Sequence, residues 1–260
     1  MNIYWVEQSL SDVPVHEDWL AKSELRCLER LRISKRRNDW RLGRWTGKRA
    51  VAMVLGLPQN DTSLMNIEIL ASLSGAPEAY VGHHPASASI SVSHRDGIAA
   101  CVVAQSTIPL GCDLELIETR SEAFLEDYFT EEEQAFVARR SASERDQLLT
   151  LLWSAKESVL KVLRVGLRAD TRSVGICLCG QCSEWDERSA KTGSDPSTRY
   201  GSPAEWRTFQ ASLENDVLYG WWNTSGSLVK TFATVQSVKP PILVNADTFS
   251  LLSMNSLSRN

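Results

Sequence analysis

The stretch of sequence best suited to chemistry is "IPLGCDLELIE", residues 108–118, which holds two carboxylates two positions apart. Its alternation of apolar and acidic residues, opened by Pro109 and Gly111, predicts a β-strand. Asp113 and Glu115 then share one strand face at roughly 7 Å between Cα atoms. Two such charges repel by about 2–3 kcal/mol at an effective dielectric near 20. A divalent cation between them would turn that repulsion into binding, although a solvated face is the plainer explanation.

Farther along the chain, a helical pattern supplies a third carboxylate and a lysine. In residues 145–165, "RDQLLTLLWSAKESVLKVLRV", Glu157 and Lys161 lie one turn apart, opposite the apolar stripe and in line with Trp153. A solvated ion pair would account for the two charges, but a Trp is an unusual neighbour on a purely solvated face. We therefore expect this face to contact something other than water.

A predicted β-hairpin adds hydroxyl and imidazole groups. Residues 87–104, "SASISVSHRDGIAACVVA", alternate serines with apolar residues and place a turn at Asp96-Gly97. Ser93 and His94 end the first strand. Serine hydroxyls, strand-end amides and a His can bind phosphate oxygens. A His that hydrogen-bonds the turn is the structural alternative.

Positive charge is concentrated in residues 26–49, which hold ten Lys or Arg against two acidic residues. The pattern predicts one helix from about Ser23 to Leu55. Four of its cations share one stripe: Arg37, Arg41, Arg44 and Lys48. This local excess indicates an anionic ligand.

Two kinds of anion-binding protein are nevertheless disfavoured. The chain as a whole is acidic, with a net charge of −4 and a pI near 5.7, and shows no recognisable nucleic-acid-binding module. The string "GRWTGKR" has three residues between its glycines, and Arg49 where a phosphate-binding loop needs Ser or Thr. We therefore expect no nucleic-acid partner and no P-loop.

Length and composition predict a folded globular protein. The 260 residues are 43% hydrophobic and include nine Trp, which suits one large domain or two small ones. The start, "MNIYWVEQSL", lacks the features of a signal peptide, and no apolar run approaches the roughly 18 residues of a membrane helix. These features predict a cytoplasmic protein with no membrane segment.

The cysteine cluster "CLCGQC" is an alternative candidate site. Cys179 and Cys182 have CxxC spacing, but no second pair or nearby His completes a zinc set. The segment also runs into a polar loop instead of opening a helix. We expect these cysteines, with Cys177, to be reduced structural thiols.

Several of these segments resemble the 4′-phosphopantetheinyl transferase family. "GCDLELIETR" and "WSAKESVLKVL" are similar to its two signature motifs, G-x-D-x-E and [FW]-x-x-K-E-[AS]-x-x-K. "ISVSHRDGIAACVVA" resembles its Ser-His strand, "RRNDWRLGRWTGKRA" its basic helix, and "SGAPEAY" its Gly-x-Pro loop. The resemblance covers roughly residues 35–175 in the family's order and spacing. The length resembles that of the long, two-lobed, monomeric class acting on carriers of secondary metabolism.

The resemblance implies a role for each matching residue. The magnesium ligands, with manganese as the alternative ion, would be Asp113, Glu115 and Glu157. Lys161 would contact the diphosphate of coenzyme A, with Lys156 beside the metal-binding glutamate. The residues that hold the coenzyme's phosphates would be Ser93, His94, Arg44 and Lys48, with Arg37 as a further candidate. Glu157 and Lys161 would be the catalytic pair. Many relatives carry Lys where this chain has Ala76, which places nucleotide affinity in doubt.

The implied fold is α+β, with two similar lobes related by a pseudo-two-fold axis. Each lobe would pack a small, mostly antiparallel sheet against a long helix, and coenzyme A would lie in the cleft between them. The lobes would span residues 1–107 and 108–236, followed by a loosely held tail, residues 237–260. The implied activity is transfer of the 4′-phosphopantetheine arm of coenzyme A to a serine of an apo acyl or peptidyl carrier protein, by a monomer. A non-catalytic module that binds coenzyme A or carrier protein stays open as the alternative.

Overall fold

The predicted α+β class is confirmed by a computed structural model, which describes residues 1–178, 205–214, 216–244 and Phe249. The strands in these ranges are β1 (Tyr4–Ser9), β2 (Ile67–Ala71), β3 (Pro77–Val81), β4 (His84–Pro85), β5 (Ser89–Arg95), β6 (Ile98–Ala104), β7 (Leu110–Leu116), β8 (Val174–Leu178), β9 (Arg207–Leu213), β10 (Asp216–Ser225), β11 (Leu228–Thr234) and β12 (Ile242–Val244). The α-helices are α1 (Lys22–Glu29), α2 (Ser34–Val54), α3 (Asp61–Met65), α4 (Glu122–Tyr128), α5 (Glu131–Ala138) and α6 (Ala142–Val162).

The first large sheet has the strand order β12-β1-β6-β5 and carries the predicted hairpin. Asp96 and Gly97 form its turn with φ angles of 50° and 74°, the left-handed values that a two-residue hairpin turn requires. The 21-residue helix α2 packs over this sheet. Their shared core includes Val6, Trp45 and Val51.

The second large sheet is antiparallel, with the order β7-β11-β10-β9-β8, and α6 packs over it. α6 has 21 residues, and its predicted apolar stripe is buried against this sheet through Ala155 and Val159. The approach is closest at Gly111, where an added Cβ would lie 1.9 Å from the Ser158 carbonyl oxygen. Only glycine at this position lets the helix backbone rest directly on β7.

The two large sheets meet through a third apolar cluster, which includes Trp5, Val102, Cys112 and Phe232. At their junction β5 and β7 run side by side, and the Cys112 amide donates a hydrogen bond of 2.9 Å to Ser91 Oγ. The small sheet β2-β3-β4 packs beside α2 and β5. The strand with Asp113 is therefore enclosed by α6 on one face and by the other sheet on the opposite face.

The predicted single basic helix is wrong, because the chain breaks between α1 and α2. The break lets Glu24 of α1 form a buried ion pair with Lys48 of α2. In one continuous helix these residues would lie roughly 36 Å apart, at 1.5 Å per residue. The buried ion pair therefore requires the turn.

Part of the predicted tail is also placed in the core. Ile242–Val244 add β12 in parallel to β1, and the side chains of Val244 and Phe249 are each 2% exposed. Alternating apolar residues in "PILVNADTF" are too few to indicate this strand from sequence. The three strands that precede this segment are β9, β10 and β11.

The cysteine prediction is wrong in one respect. Cys177 is disulfide-bonded, whereas Cys27, Cys101 and Cys112 are free. Cys179, Cys182 and the predicted polar loop after them lie outside the described residues. Within the described ranges, no helix is long and apolar enough to cross a bilayer.

Candidate functional site

Asp113 lies at the centre of the candidate site and is 2% exposed. Its Oδ1 accepts hydrogen bonds from Ser93 Oγ and Lys161 Nζ, both at 2.8 Å. Its Oδ2 is buried without a hydrogen-bond partner. A solvated strand face therefore does not explain this carboxylate.

Glu115, two residues farther along β7, faces two arginines that sequence reasoning did not select. Its Oε2 lies 3.5 Å from Arg95 Nε and 3.7 Å from an Arg120 guanidinium nitrogen. The same oxygen is buried and has no hydrogen bond. Burial and the nearby Asp113 raise the pKa of Glu115, and the two arginines oppose that rise.

Glu157 reaches the same cluster from α6. Burial, followed by repulsion from Asp113, raises its pKa from 4.5 to about 7, while Lys161 at 3.8 Å opposes the shift. Trp153, one turn earlier, packs edge-on against the rings of Phe124 and Tyr128. This aromatic packing explains why a Trp lies on the same face as the two charges.

Lys161 connects the helix to the strand. Its ammonium donates to Asp113 Oδ1, to the Cys112 carbonyl at 2.9 Å and to Ser93 Oγ at 3.2 Å. Burial disfavours its charge, but Asp113, Cys112 and Glu157 outweigh burial and raise its pKa. The lysine therefore stays protonated and holds Asp113 in place.

The donor chemistry of this cluster fits a hard divalent cation. Hard divalent cations prefer carboxylate oxygens, and two such oxygens here are buried without hydrogen bonds, on Asp113 and Glu115. The three carboxylates do not converge, however: within the part of the chain that the structure describes, no group of three His, Cys, Asp or Glu is arranged to hold a metal ion. Each carboxylate is turned toward Lys161, Arg95 or Arg120 instead. Side-chain rotations of Glu115 and Glu157 would be needed to form a common site.

The hairpin brings Ser93, but not His94, to the cluster. Ser91 and Ser93 face β7, where each makes a hydrogen bond. His94 is exposed and, by strand alternation, points to the other side of the sheet. Ser91 and Ser93 therefore link the two large sheets, whereas Ser89 bonds the Ser106 carbonyl in the segment that follows β6.

The predicted basic stripe is turned largely inward. Lys48 is 0% exposed, pairs with Glu24, and donates to the Trp19 carbonyl at 2.9 Å. Arg37 contacts Glu17 at 2.6 Å, and Arg44 lies 3.8 Å from Glu24. The helical spacing was right, but the stripe faces protein carboxylates. Lys48 therefore presents no surface to a ligand in this conformation.

Lys156 is likewise directed away from the cluster. Its ammonium contacts Glu133 at 2.8 Å and the carbonyls of Thr171 and Val174, which uses all three N–H donors. Glu133 also forms a capping box with Thr130 at the start of α5. Lys156 thus fastens α6 to α5 and β8.

A pocket of about 510 Å³ adjoins the cluster. Residues 74–80, β5 and the C-terminal end of α6 line it, and Lys161 belongs to both the pocket and the cluster. Ala76 of the Gly-Ala-Pro loop forms part of its wall. The pocket gives a small molecule direct access to the lysine and, through it, to Asp113.

Three arginines near the site were missed from sequence: Arg95, Arg120 and Arg164. Arg95 follows His94, and Arg120 ends the string "GCDLELIETR", so each arginine lies next to residues whose spacing indicated a site. Periodicity does not indicate that the ends of β5 and β7 converge. Arg95 and Arg120 meet at Glu115 only in the folded structure, whereas Arg164 lies apart from them, at Glu78.

Buried carboxylates, a lysine beside them and an adjoining pocket define a site suited to phosphoryl chemistry. Residues 109–192, about a third of the chain, match the family model described as the 4′-phosphopantetheinyl transferase superfamily. No curated protein matches the chain. A domain of this superfamily indicates holo-carrier-protein synthase activity, the transfer of phosphopantetheine to carrier proteins. The superfamily generally uses Mg²⁺ and coenzyme A.

Proposed function

We propose that this protein transfers the 4′-phosphopantetheine arm of coenzyme A to a serine hydroxyl of an apo carrier protein and releases 3′,5′-ADP. The observation that carries the proposal is the Asp113–Lys161 pair, which joins β7 to α6 beside the pocket and within the matched domain. A lysine so placed can contact a diphosphate in the pocket while its neighbours bind a cation.

The residues that would hold Mg²⁺, or Mn²⁺ as the alternative, are Asp113, Glu115 and Glu157. When bound, the ion supplies positive charge beside the diphosphate. The chain's own residues do the positioning. Ser93 and Lys161 hold Asp113, and Arg95 and Arg120 lie next to Glu115.

Glu157 is our candidate to accept the proton of the attacking serine, directly or through one water. Its carboxylate lies on α6, 3.8 Å from Lys161 and beside the pocket that Lys161 lines, where a substrate hydroxyl could approach it. Glu157→Gln is expected to lower kcat strongly. Near-normal turnover of this variant with the metal bound would refute the base role.

The phosphate groups of coenzyme A would contact Lys161 and Ser93, with His94, Arg37 and Arg44 as further candidates. Arg37 and Arg44 keep side chains that are 36% and 22% exposed, so both can still reach a ligand. The contacts of Lys48 and Lys156 favour structural roles for these two lysines instead.

The finer organisation is also a proposal. Two lobes, 1–107 and 108–236, would enclose the coenzyme between them, related by a pseudo-two-fold axis. The protein would act as a monomer. The carriers would be those of secondary metabolism, such as polyketide and nonribosomal-peptide carriers.

A non-catalytic binding module is the alternative, favoured by one observation. The three carboxylates are engaged by cations of the chain and do not converge. Such an arrangement could bind coenzyme A through the pocket without assembling a metal site. The transferase and the binding module would therefore both bind coenzyme A, but only the transferase would transfer phosphopantetheine.

The test is the intact mass of an apo acyl or peptidyl carrier protein after incubation with this protein, coenzyme A and Mg²⁺. Controls omit the metal or use Asp113→Ala. We expect a gain of one phosphopantetheine arm that is lost in both controls. If several carriers gain no mass but the protein still binds coenzyme A, the result would support the binding module. If the carriers gain no mass and the protein binds no coenzyme A, the proposal would be refuted.

A further inference from the structure

The turn that follows α6 holds an arginine in an unusual backbone conformation. Arg164 has φ = 58°, immediately after the helix C-cap Leu163. The Arg164 amide donates to the Lys161 carbonyl and the Val165 amide to the Leu160 carbonyl, both at 3.2 Å, which ends the helix. Glycine is the usual residue at such a position, because other residues are strained there. The backbone therefore does not favour an arginine here, which makes its side chain a candidate for a functional role.

The side chain of Arg164 crosses to the opposite wall of the pocket. Its guanidinium contacts Glu78 Oε1 of β3 at 2.9 Å, and Arg164 lines the pocket with Glu78. The Arg164 side chain is 51% exposed. Apart from Glu78, no described residue pairs with its remaining N–H groups. The guanidinium therefore keeps free donors at the pocket.

Among the described residues that line this pocket, the basic ones are Arg164 and Lys161. Lys161 lies in the last turn of α6, and Arg164 lies in the turn that follows the helix. Lys161 is already hydrogen-bonded to Asp113. The Gly-Ala-Pro loop contributes no cation, since Ala76 stands between Gly75 and Pro77. An anionic group entering the pocket can therefore gain new charge-assisted hydrogen bonds chiefly from Arg164.

We propose that Arg164 binds a phosphate group of the small molecule that occupies this pocket, with Glu78 as its counter-ion when the pocket is empty. The inference rests on the proposed function, which makes that molecule coenzyme A. A guanidinium binds phosphate with two parallel hydrogen bonds, and an exposed carboxylate partner is a weak competitor. The phosphate is either one of the diphosphate or the terminal phosphate on the ribose.

The test is calorimetric titration of the full chain with coenzyme A and with 3′-dephospho-coenzyme A. The variants are Arg164→Gln, Glu78→Gln and, as matched control, Arg172→Gln. Arg172 is 56% exposed and pairs with Asp170 at 3.1 Å, so it matches Arg164 in exposure and in having one carboxylate partner, but it does not line the pocket. Circular dichroism and thermal unfolding confirm that each variant is folded.

Arg164→Gln is expected to weaken coenzyme A binding by about tenfold to a hundredfold. Glu78→Gln is expected to strengthen it, by up to about fivefold, and Arg172→Gln to leave it unchanged. If Arg164→Gln weakens the binding of both ligands, Arg164 contacts the diphosphate. If it weakens the binding of coenzyme A alone, Arg164 contacts the terminal phosphate on the ribose. Unchanged affinity of Arg164→Gln for both ligands would overturn the inference while the proposed function stands. Absence of coenzyme A binding by the wild type would instead refute the proposed function.

Discussion

Asp113 determines the charge state of its neighbours more than any other residue of the cluster. Its buried carboxylate raises the pKa of Glu115, Glu157 and Lys161. The effect keeps Lys161 protonated but makes the two glutamates harder to ionise. A divalent cation would reverse the effect on the glutamates, because it would neutralise the charges that now repel.

Glu157 is expected to destabilise the metal-free fold above neutral pH. Its pKa is about 7 in the folded chain against 4.5 ordinarily, so the folded state holds the proton more tightly. The contribution of protonated Glu157 to the free energy of unfolding is fully present below pH 4.5. It decreases as the pH rises to about 7, by up to about 3 kcal/mol in total. Glu157→Gln, which cannot ionise, should therefore gain stability over the wild type between pH 5 and 8.

The measurement is the free energy of unfolding in urea at several pH values, with a chelator present. The matched control is Glu126→Gln, an exposed glutamate of α4. A stability difference between wild type and Glu157→Gln that does not change with pH would contradict the prediction.

At the scale of single residues, sequence indicated which side chains could bind but not what they bind. The spacing of Asp113, Glu157 and Lys161 placed them on the correct faces, and the structure brings them together. The same kind of pattern selected Lys48 and Lys156, whose partners are the protein carboxylates Glu24 and Glu133. A basic stripe appears the same in the sequence whether its anion belongs to a ligand or to another helix.

Among the elements, α1 and α2 are held by charge as well as by apolar contact. Glu24 accepts hydrogen bonds from the Ala21 and Ile69 amides and pairs with Lys48. It therefore links both helices to β2. This link is the physical reason for the break that periodicity did not predict.

Lys48→Met is expected to cost about 3 kcal/mol or more of unfolding free energy, because it leaves Glu24 buried without its ammonium partner. Affinity of the folded variant for coenzyme A should be unchanged. Urea unfolding and calorimetric titration measure the two effects separately. Normal stability combined with lost affinity would instead restore Lys48 as a ligand-binding residue.

Gly111→Ala should disturb the contact between β7 and α6. The new methyl group would lie 1.9 Å from the Ser158 carbonyl oxygen and 2.8 Å from the Val162 amide nitrogen, both backbone atoms that cannot rotate away. We expect destabilisation of about 3 kcal/mol or more and a loss of transfer activity, since α6 carries Glu157 and Lys161.

Gly43→Ala provides the matched control for this substitution. An added Cβ at Gly43, within α2, meets Val92 at an ordinary 3.6 Å. The control should keep or raise the thermal midpoint, because alanine favours helix. Equal thermal midpoints for the two variants would show that β7 and α6 are less closely packed than this structure indicates.

Local patterns predicted most elements near the site. The hairpin, β7, α5 with its capping box and α6 all have strong local patterns, and each is present. The break after α1 and the strand β12 depend on long-range partners, Lys48 for Glu24 and β1 for β12. Contacts of this kind leave no periodic mark on the sequence.

At the scale of the whole molecule, the last strand of the described chain pairs with the first strand. After the second large sheet, residues 242–244 pair with β1, and Phe249 packs into the core beneath α2, under the guanidinium of Arg49. The first sheet is therefore completed by the last part of the described chain.

Phe249→Ala is expected to cost about 3 kcal/mol of unfolding free energy, because it opens a cavity in that core. Leu243→Ala, at a side chain that is 47% exposed, is the matched control and should change stability little. Thermal unfolding of both variants is the measurement. Equal, small effects would indicate a loosely held tail after all.

The return of β12 to β1 also governs how the chain can be divided. A backbone cut between residues 107 and 108 would leave Ser93 on one fragment and Asp113, Glu157 and Lys161 on the other. The second fragment would also carry Val244 and Phe249, which belong to the core of the first. Neither fragment would hold a whole core or a whole site. The first would carry β1 and the second β12, which pair with each other in the intact protein. The two pieces, mixed after separate synthesis, should recover structure and site only by complementing each other.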